Sequence, residues 1–197
     1  MDFLPIKRAL LSVTDKTDLA PFAKFLVDGG ASLVSTGGTY KTLKDAGLPV
    51  TQVSEVTGFP EIMGGRVKTL HPKIHGGILA DKDNPDHLAQ LAEHEIETFD
   101  LICVNLYNFA EAAKKGLDLR AAIEEIDIGG PCMLRASAKN YHSILVVPHV
   151  KYYAEIQKAL AKNGGKAPLA LRQKMAAATF AATSAYDGMI SNYMENN

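Results

Sequence analysis

Five short runs of apolar, mostly β-branched or aliphatic residues punctuate the chain. They are Ala9–Val13, Ser32–Ser35, Val50–Val53, Leu101–Asn105 and Ile144–Val147. Each run is nearly continuous rather than alternating, which is the pattern of strands buried on both faces of a parallel sheet. Between the first two, Leu19, Phe22, Ala23, Phe25, Leu26 and Val27 recur at helical spacing, and Gly29-Gly30 is a helix stop. Between the second and third, Tyr40 to Ala46 reads as a helix ended by Gly47-Leu48-Pro49. This β-α-β-α-β series predicts an open, mostly parallel α/β sheet with helices on both faces and right-handed crossovers. From Leu169 to Met194 the chain is alanine-rich and periodic, one or two further helices, preceded by a loop over Lys162–Pro168. We therefore expect a single domain over residues 1–197, with a core to about residue 150 and a helical extension over 151–197.

In such a sheet ligands gather beyond the carboxyl ends of the strands, and polar residues and glycines bunch there. Ser12-Val13-Thr14-Asp15-Lys16-Thr17 follows the first strand, and Ser35-Thr36-Gly37-Gly38-Thr39 follows the second and opens a helix. Glycines let a backbone approach an anion, and the first N–H groups of a helix then donate to it. Lys16 adds a point charge from the neighbouring loop. Two adjacent loops thus form a candidate phosphate pocket from Thr14, Asp15, Lys16, Thr36, Gly37, Gly38 and Thr39. The glycines alone equally suit a tight turn with Thr36 or Thr39 as a helix cap. Neither a Walker A loop nor a dinucleotide fingerprint is present.

The segment Gly64–Gly77 holds Arg66, Lys68, Lys73, His71 and His75 among four glycines and shows no periodicity. It reads as a long irregular loop, and long loops in compact domains usually serve function. Arg66 and Lys68 suit an anionic substrate or developing negative charge. His71 and His75 are four apart, but Pro72 and the glycines argue against a regular helix and hence against a metal pair. Asn105-Leu106-Tyr107 leaves the fourth run at the same rim, Asn105 with amide donors and an acceptor, Tyr107 with a hydroxyl. Farther on, Asp127-Ile128-Gly129-Gly130-Pro131 ends one helix and starts another, placing the Asp127 carboxylate near a helix N-terminus. That second helix carries Arg135 and Lys139. A desolvated carboxylate near a lysine can work as an acid–base pair; the same spacing also suits a simple charge partner and a solvated lysine.

Composition narrows the partners. Lys plus Arg total 21 against 22 acidic residues, a net charge of −1, which argues against non-specific nucleic-acid binding. No apolar run reaches the ~18–20 residues of a membrane span. The N-terminus lacks a signal-peptide pattern, and two cysteines make no disulfide framework, so a reduced cytoplasmic setting is expected.

Taken in order, these segments resemble the inosine monophosphate (IMP) cyclohydrolase domain of the bifunctional purine-biosynthesis enzymes. The match runs through Ser12–Thr17, Ser35–Thr39, Thr57-Gly58-Phe59-Pro60-Glu61, Gly65–Pro72, Asn105-Leu106-Tyr107, Ile126–Pro131 and Ala138-Lys139-Asn140. Asn108 stands where that family usually has proline, and Tyr141 where it usually has histidine. The resemblance implies a flavodoxin-like (methylglyoxal-synthase-like) fold, a purine ribonucleotide pocket and no metal or organic cofactor. The implied reaction closes 5-formamidoimidazole-4-carboxamide ribonucleotide (FAICAR) to IMP with loss of water. It implies nucleotide contacts at Thr14, Asp15, Lys16, Thr36, Gly37, Gly38, Thr39, Arg66, Val67, Lys68, Thr69, Val104, Asn105, Asp127 and Ile128. Lys68, Tyr107, Asp127 and Lys139 match the catalytic set. A homodimer is consistent with the resemblance, and the transformylase activity belongs to a domain beyond this chain or to a separate protein. The alternative is a methylglyoxal-synthase-like regulatory module that binds a nucleotide or phosphate without chemistry.

Overall fold

A computed structural model describes residues 1–106, 109 and 119–196. Five parallel strands form the central sheet: β2 (Arg8–Val13), β3 (Ser32–Ser35), β4 (Thr51–Gln52), β5 (Leu101–Asn105) and β6 (Leu145–Val147), in the order β4-β3-β2-β5-β6. All five were legible as apolar runs. Ala9, Leu10 and Leu11 on β2, Leu101 and Ile102 on β5, and all of β6 are fully buried, so the sheet is covered on both faces. Burial of each large aliphatic side chain contributes roughly 1.5–3 kcal/mol.

Helices α1 (Leu19–Asp28), α2 (Gly37–Asp45) and α8 (Tyr153–Lys162) form one connected layer. Phe22 of α1 stacks flat on Tyr153 of α8, with ring centroids 4.1 Å apart. The other layer joins α4 (Pro72–Leu79), α7 (Gly129–Lys139) and α9 (Leu169–Glu195). Helices α3 (Val53–Thr57), α5 (Pro85–Glu93) and α6 (Leu119–Glu124) are the remaining α-helices among the described residues. The Leu169–Met194 stretch is thus one helix of 27 residues, Leu169–Glu195, about 40 Å long, lying along α7 and β6. Among the described residues no helix is long and apolar enough to cross a membrane.

Three expectations are corrected. A second, antiparallel sheet joins β1 (Phe3–Pro5) to β7 (Lys166–Pro168), so the end of the expected Lys162–Pro168 loop is a strand. These three-residue strands are too short to leave a periodic signal. Within Gly64–Gly77, Pro72 does not prevent a helix but starts one: it sits at the first position of α4, where its missing N–H costs nothing, and the preceding His71 caps it through Nδ1 to Lys73 N at 3.1 Å. The second helix of the Asp127 segment starts at Gly129 rather than at Pro131.

The chain runs outward from β2 to β3 and β4, then returns to place β5 on the other side of β2. The reversal lies between β2 and β5, where a crevice opens beyond the strand ends.

Candidate functional site

Asn105, the last residue of β5, holds the loop that follows β2. Its Oδ1 accepts from Thr14 N at 2.8 Å and Asp15 N at 3.0 Å, and its Nδ2 donates to Asp15 O at 2.9 Å. The Asp15 carboxylate in turn accepts from Thr17 N at 2.9 Å, a tight local turn that holds Asp15 below its usual carboxylate range. These bonds bring Lys16 back over the loop, its Nζ donating to Thr14 O at 3.2 Å. A Cβ on Gly38 would meet Lys16 Nζ at 3.7 Å, so the ammonium lies above the first turn of α2.

Thr36 holds the N-cap position of α2, yet its side chain does not cap; the hydroxyl donates instead to Glu61 Oε1 at 2.7 Å. Gly37 follows with φ +56°, a left-handed conformation that a glycine adopts without strain. The first intrahelical bond is Tyr40 N to Thr36 O, so the N–H groups of Gly37, Gly38 and Thr39 precede the helical ladder. Thr39 is buried, and its hydroxyl is committed: it accepts from Val13 N and donates to Val13 O, both at 2.9 Å. What remains of Thr39 for a ligand is its backbone N–H, at the positive end of a helix dipole.

From Ile62 to Val67 the chain makes a bridge-closed turn in which Met63, Gly64 and Gly65 all have positive φ. The turn sends Lys68 back towards the phosphate loop. A Cβ on Gly65 would stand 3.1 Å from Lys68 Nζ, and one on Gly37 3.8 Å from it. Glu61 Oε2 lies 3.8 Å from the same ammonium. Two lysine ammonium groups therefore flank the start of α2, each from a different loop. Arg66 reaches across the mouth to Glu124 Oε1 of α6 at 2.8 Å; both partners are exposed, so the pair adds little stability.

The opposite wall is the start of α7. Asp127 Oδ1 accepts from Gly130 N at 2.9 Å, and Asp127 N donates to the Tyr186 hydroxyl of α9 at 2.8 Å. Burial raises the Asp127 carboxyl above its usual range, opposed by the Gly130 N–H and by the Lys68 charge. Thr69 is buried directly against Gly129.

Between these walls is a cavity of about 870 Å³, within the size range of small-molecule sites. Thr14, Lys16, Thr36 to Thr39, Arg66 to Thr69, Asn105, Asp127 and Ile128 all line it. Others of the expected residues do not. Val104 is buried inside β5, and Asp15 faces a neighbouring cavity beyond Thr14 and Asn105. Lys139 is exposed on the last turn of α7, about 15 Å of helix from Asp127's end, and is not part of this chain's cavity wall. Tyr107 lies outside the described residues. The sequence reading omitted Met63, Ile123, Ile126 and Met133, which supply apolar wall. It also omitted Glu61, which meets Thr36 and Lys68, and Tyr186, which meets Asp127 N; Glu61 belonged to a motif already noted, whereas nothing in the local pattern marks Tyr186.

The two histidines of the Gly64–Gly77 segment have other work. His71 caps α4, and His75 N bonds to His71 O at 3.0 Å. Among the described residues no group of three or more metal-binding side chains gathers.

The family model for the MGS-like domain matches residues 18–132, well over half of the chain. The chain belongs to the MGS-like domain family. The C-terminal part of this MGS-like chain matches a second model, the AICARFT/IMPCHase bienzyme, over residues 137–197. The bifunctional purine biosynthesis protein PurH of Rhodospirillum rubrum is 52% identical over 98% of the chain, and PurH of Brucella ovis is equally similar. The chain spans 36% of the length of these relatives. A solved structure, described as the crystal structure of ForH, superposes with a TM-score of 0.88 at 35% identity, covering 96% of this chain and 97% of that one. The MGS-like fold thus places the cavity at the reversal of strand order, where the sequence had placed its phosphate loops.

Proposed function

We propose that this chain is an IMP cyclohydrolase that closes FAICAR to IMP with loss of water. The observation that carries this reading is the juxtaposition, across one cavity, of a phosphate-type site at the start of α2 with Lys68 and the half-buried Asp127 carboxylate. The similarity to proteins named for purine biosynthesis, and to the cyclohydrolase-containing bienzyme family, supports it. The ligand contacts are those of the cavity wall: Thr14, Lys16, Thr36, Gly37, Gly38 and Thr39 toward the phosphate, and Arg66, Val67, Lys68, Thr69, Asn105, Asp127 and Ile128 toward the ribose and base.

The reaction joins a carboxamide nitrogen, whose lone pair is delocalised, to an unreactive formamide carbon. It proceeds only when those atoms are held at near-attack distance. As the C–N bond forms, the formyl oxygen gains negative charge and needs fixed donors. Lys68 supplies one. Asp127 orients the carboxamide and takes the proton that its nitrogen loses. Lys68 gives a proton to the formyl oxygen to form a hydroxyl; Lys139 protonates that hydroxyl, which leaves as water while the former formamide nitrogen returns its proton to Lys68 and the ring C=N bond forms. Because Lys139 stands at the far end of α7 from Asp127, we propose that it acts in the cavity of a second copy of the chain, in a homodimer.

The test is turnover of FAICAR by the purified chain, with and without a chelator, read as IMP formed. Turnover that survives the chelator supports a metal-independent cyclohydrolase. IMP binding without turnover rejects the reading in favour of a regulatory nucleotide-binding module.

A further inference from the structure

Tyr186 sits two-thirds of the way along α9, 59 residues from Asp127 in sequence, and is 2% exposed. It is not part of the wall of the nucleotide cavity. It lines a second cavity of about 520 Å³ behind it, together with Asp15, His149, Ala182 and Met189, and Thr14 and Asn105 stand between the two. Its hydroxyl oxygen accepts the hydrogen bond from Asp127 N at 2.8 Å.

Asp127 needs such an anchor. It lies in the irregular turn between α6 and α7, and the residue after it, Ile128, is exposed. The bond from Gly130 N fixes the carboxylate to the turn of α7, but nothing within the turn fixes its backbone N–H. Among the described residues, that group is held from α9. An unsatisfied buried N–H is costly, so the Tyr186 hydroxyl pins the backbone of Asp127 while Gly130 pins its side chain. A displacement of about 1 Å at a reacting group is enough to cost orders of magnitude in rate.

We propose that Tyr186 is a positioning residue for the cyclohydrolase reaction, holding Asp127 in register with Lys68 across the nucleotide cavity. The proposal rests on the cyclohydrolase reading. It makes the long C-terminal helix a working part of the site rather than a cover for the sheet. Tyr186 acts through Asp127, so its hydroxyl matters more to kcat than to ligand affinity.

The experiment measures FAICAR turnover, IMP affinity and melting temperature for wild type, Tyr186→Phe, Asp127→Asn, the double variant and Thr183→Val. Tyr186→Phe keeps the ring and removes only the hydroxyl. Thr183→Val alters the same buried helix face, where Thr183 Oγ1 donates to Phe180 O, away from Asp127. The expected result is a fall in kcat of about tenfold in Tyr186→Phe, with KM and IMP affinity changed by less than about threefold. The double variant is no slower than Asp127→Asn alone, since coupled residues are not additive. Thr183→Val loses melting temperature but keeps kcat. An unaltered kcat in Tyr186→Phe overturns the proposal, as do additive effects in the double variant. Loss of the fold in Tyr186→Phe also overturns it, by making the hydroxyl a structural requirement. An inactive wild-type chain overturns the cyclohydrolase reading and this proposal together, whereas an active wild type with a normal Tyr186→Phe overturns this proposal alone.

Discussion

Gly130 N donates to Asp127 Oδ1 at 2.9 Å, and a Cβ on Gly130 would stand 2.1 Å from Asp127 Oδ2. The glycine is thus required by close approach: only a residue without a side chain lets the carboxylate fold back onto the start of α7. We expect Gly130→Ala to displace Asp127, to cost ~1–3 kcal/mol of stability through overpacking, and to reduce turnover by at least tenfold. Melting and steady-state kinetics on one preparation check both. A variant with wild-type kcat would show that the Asp127 position is not critical.

Lys68 is held between Gly37, Gly65 and Glu61. As a donor to the transition-state oxygen its loss costs ~2.7–4 kcal/mol. Lys68→Ala therefore lowers kcat about 100-fold or more, with a smaller effect on IMP affinity. Equal losses in kcat and in affinity for IMP would instead make Lys68 a ground-state binding residue.

Asp127 links activity to pH. Its carboxyl is raised by burial, so the ionised form is disfavoured in the folded chain. The folded state then binds more protons than the unfolded state, and stability falls as pH rises from the unfolded value through the raised folded one. Asp127→Asn keeps an acceptor for Gly130 N and removes this penalty. The variant should melt higher than wild type at neutral pH, with the difference shrinking as pH falls below the ordinary aspartate range, and should be nearly inactive. Wild-type kcat should rise with pH along a limb displaced above that range, because the base works only when ionised. Melting curves and kcat across pH test both signs.

Lys139 and Lys68 offer a test of the second copy. Lys68→Ala and Lys139→Ala are each expected to be inactive. If each cavity takes Lys68 from one chain and Lys139 from the other, mixing the two variants under subunit exchange restores about a quarter of wild-type sites. No recovery, with exchange verified, would place Lys139 in the site of its own chain rather than in the partner's.

Thr39 separates a structural from a ligand-binding role. Its hydroxyl bonds both the N–H and the C=O of Val13. Thr39→Val leaves both buried backbone groups unpaired and should cost ~1–3 kcal/mol of stability. Affinity for inorganic phosphate, once measured on the folded fraction, should change by less than about threefold, because the backbone N–H is retained.

The sheet was legible because its strands are buried on both faces, which leaves continuous apolar runs in the chain. The phosphate loops were legible because glycines and hydroxyls at strand ends are local signals. Lys16, Thr36–Thr39, Lys68 and Asp127 were all named from such signals, and they do share one cavity. The helix starting at Pro72 was missed because the glycines around it mask its period; the His71 cap and packing on α3 and α7 stabilise it.

The sequence by itself determined the fold class, the rim on which the ligand loops lie and the residue types that carry charge there, because each follows from patterns a few residues long. Only the tertiary structure decided how those groups are used. It committed the Thr39 hydroxyl and the Asn105 amide to backbone, carried Lys139 away from Asp127, and brought Tyr186 to Asp127 across 59 positions. Such assignments depend on which distant elements pack together, and no local pattern of residues encodes a hydrogen bond between them.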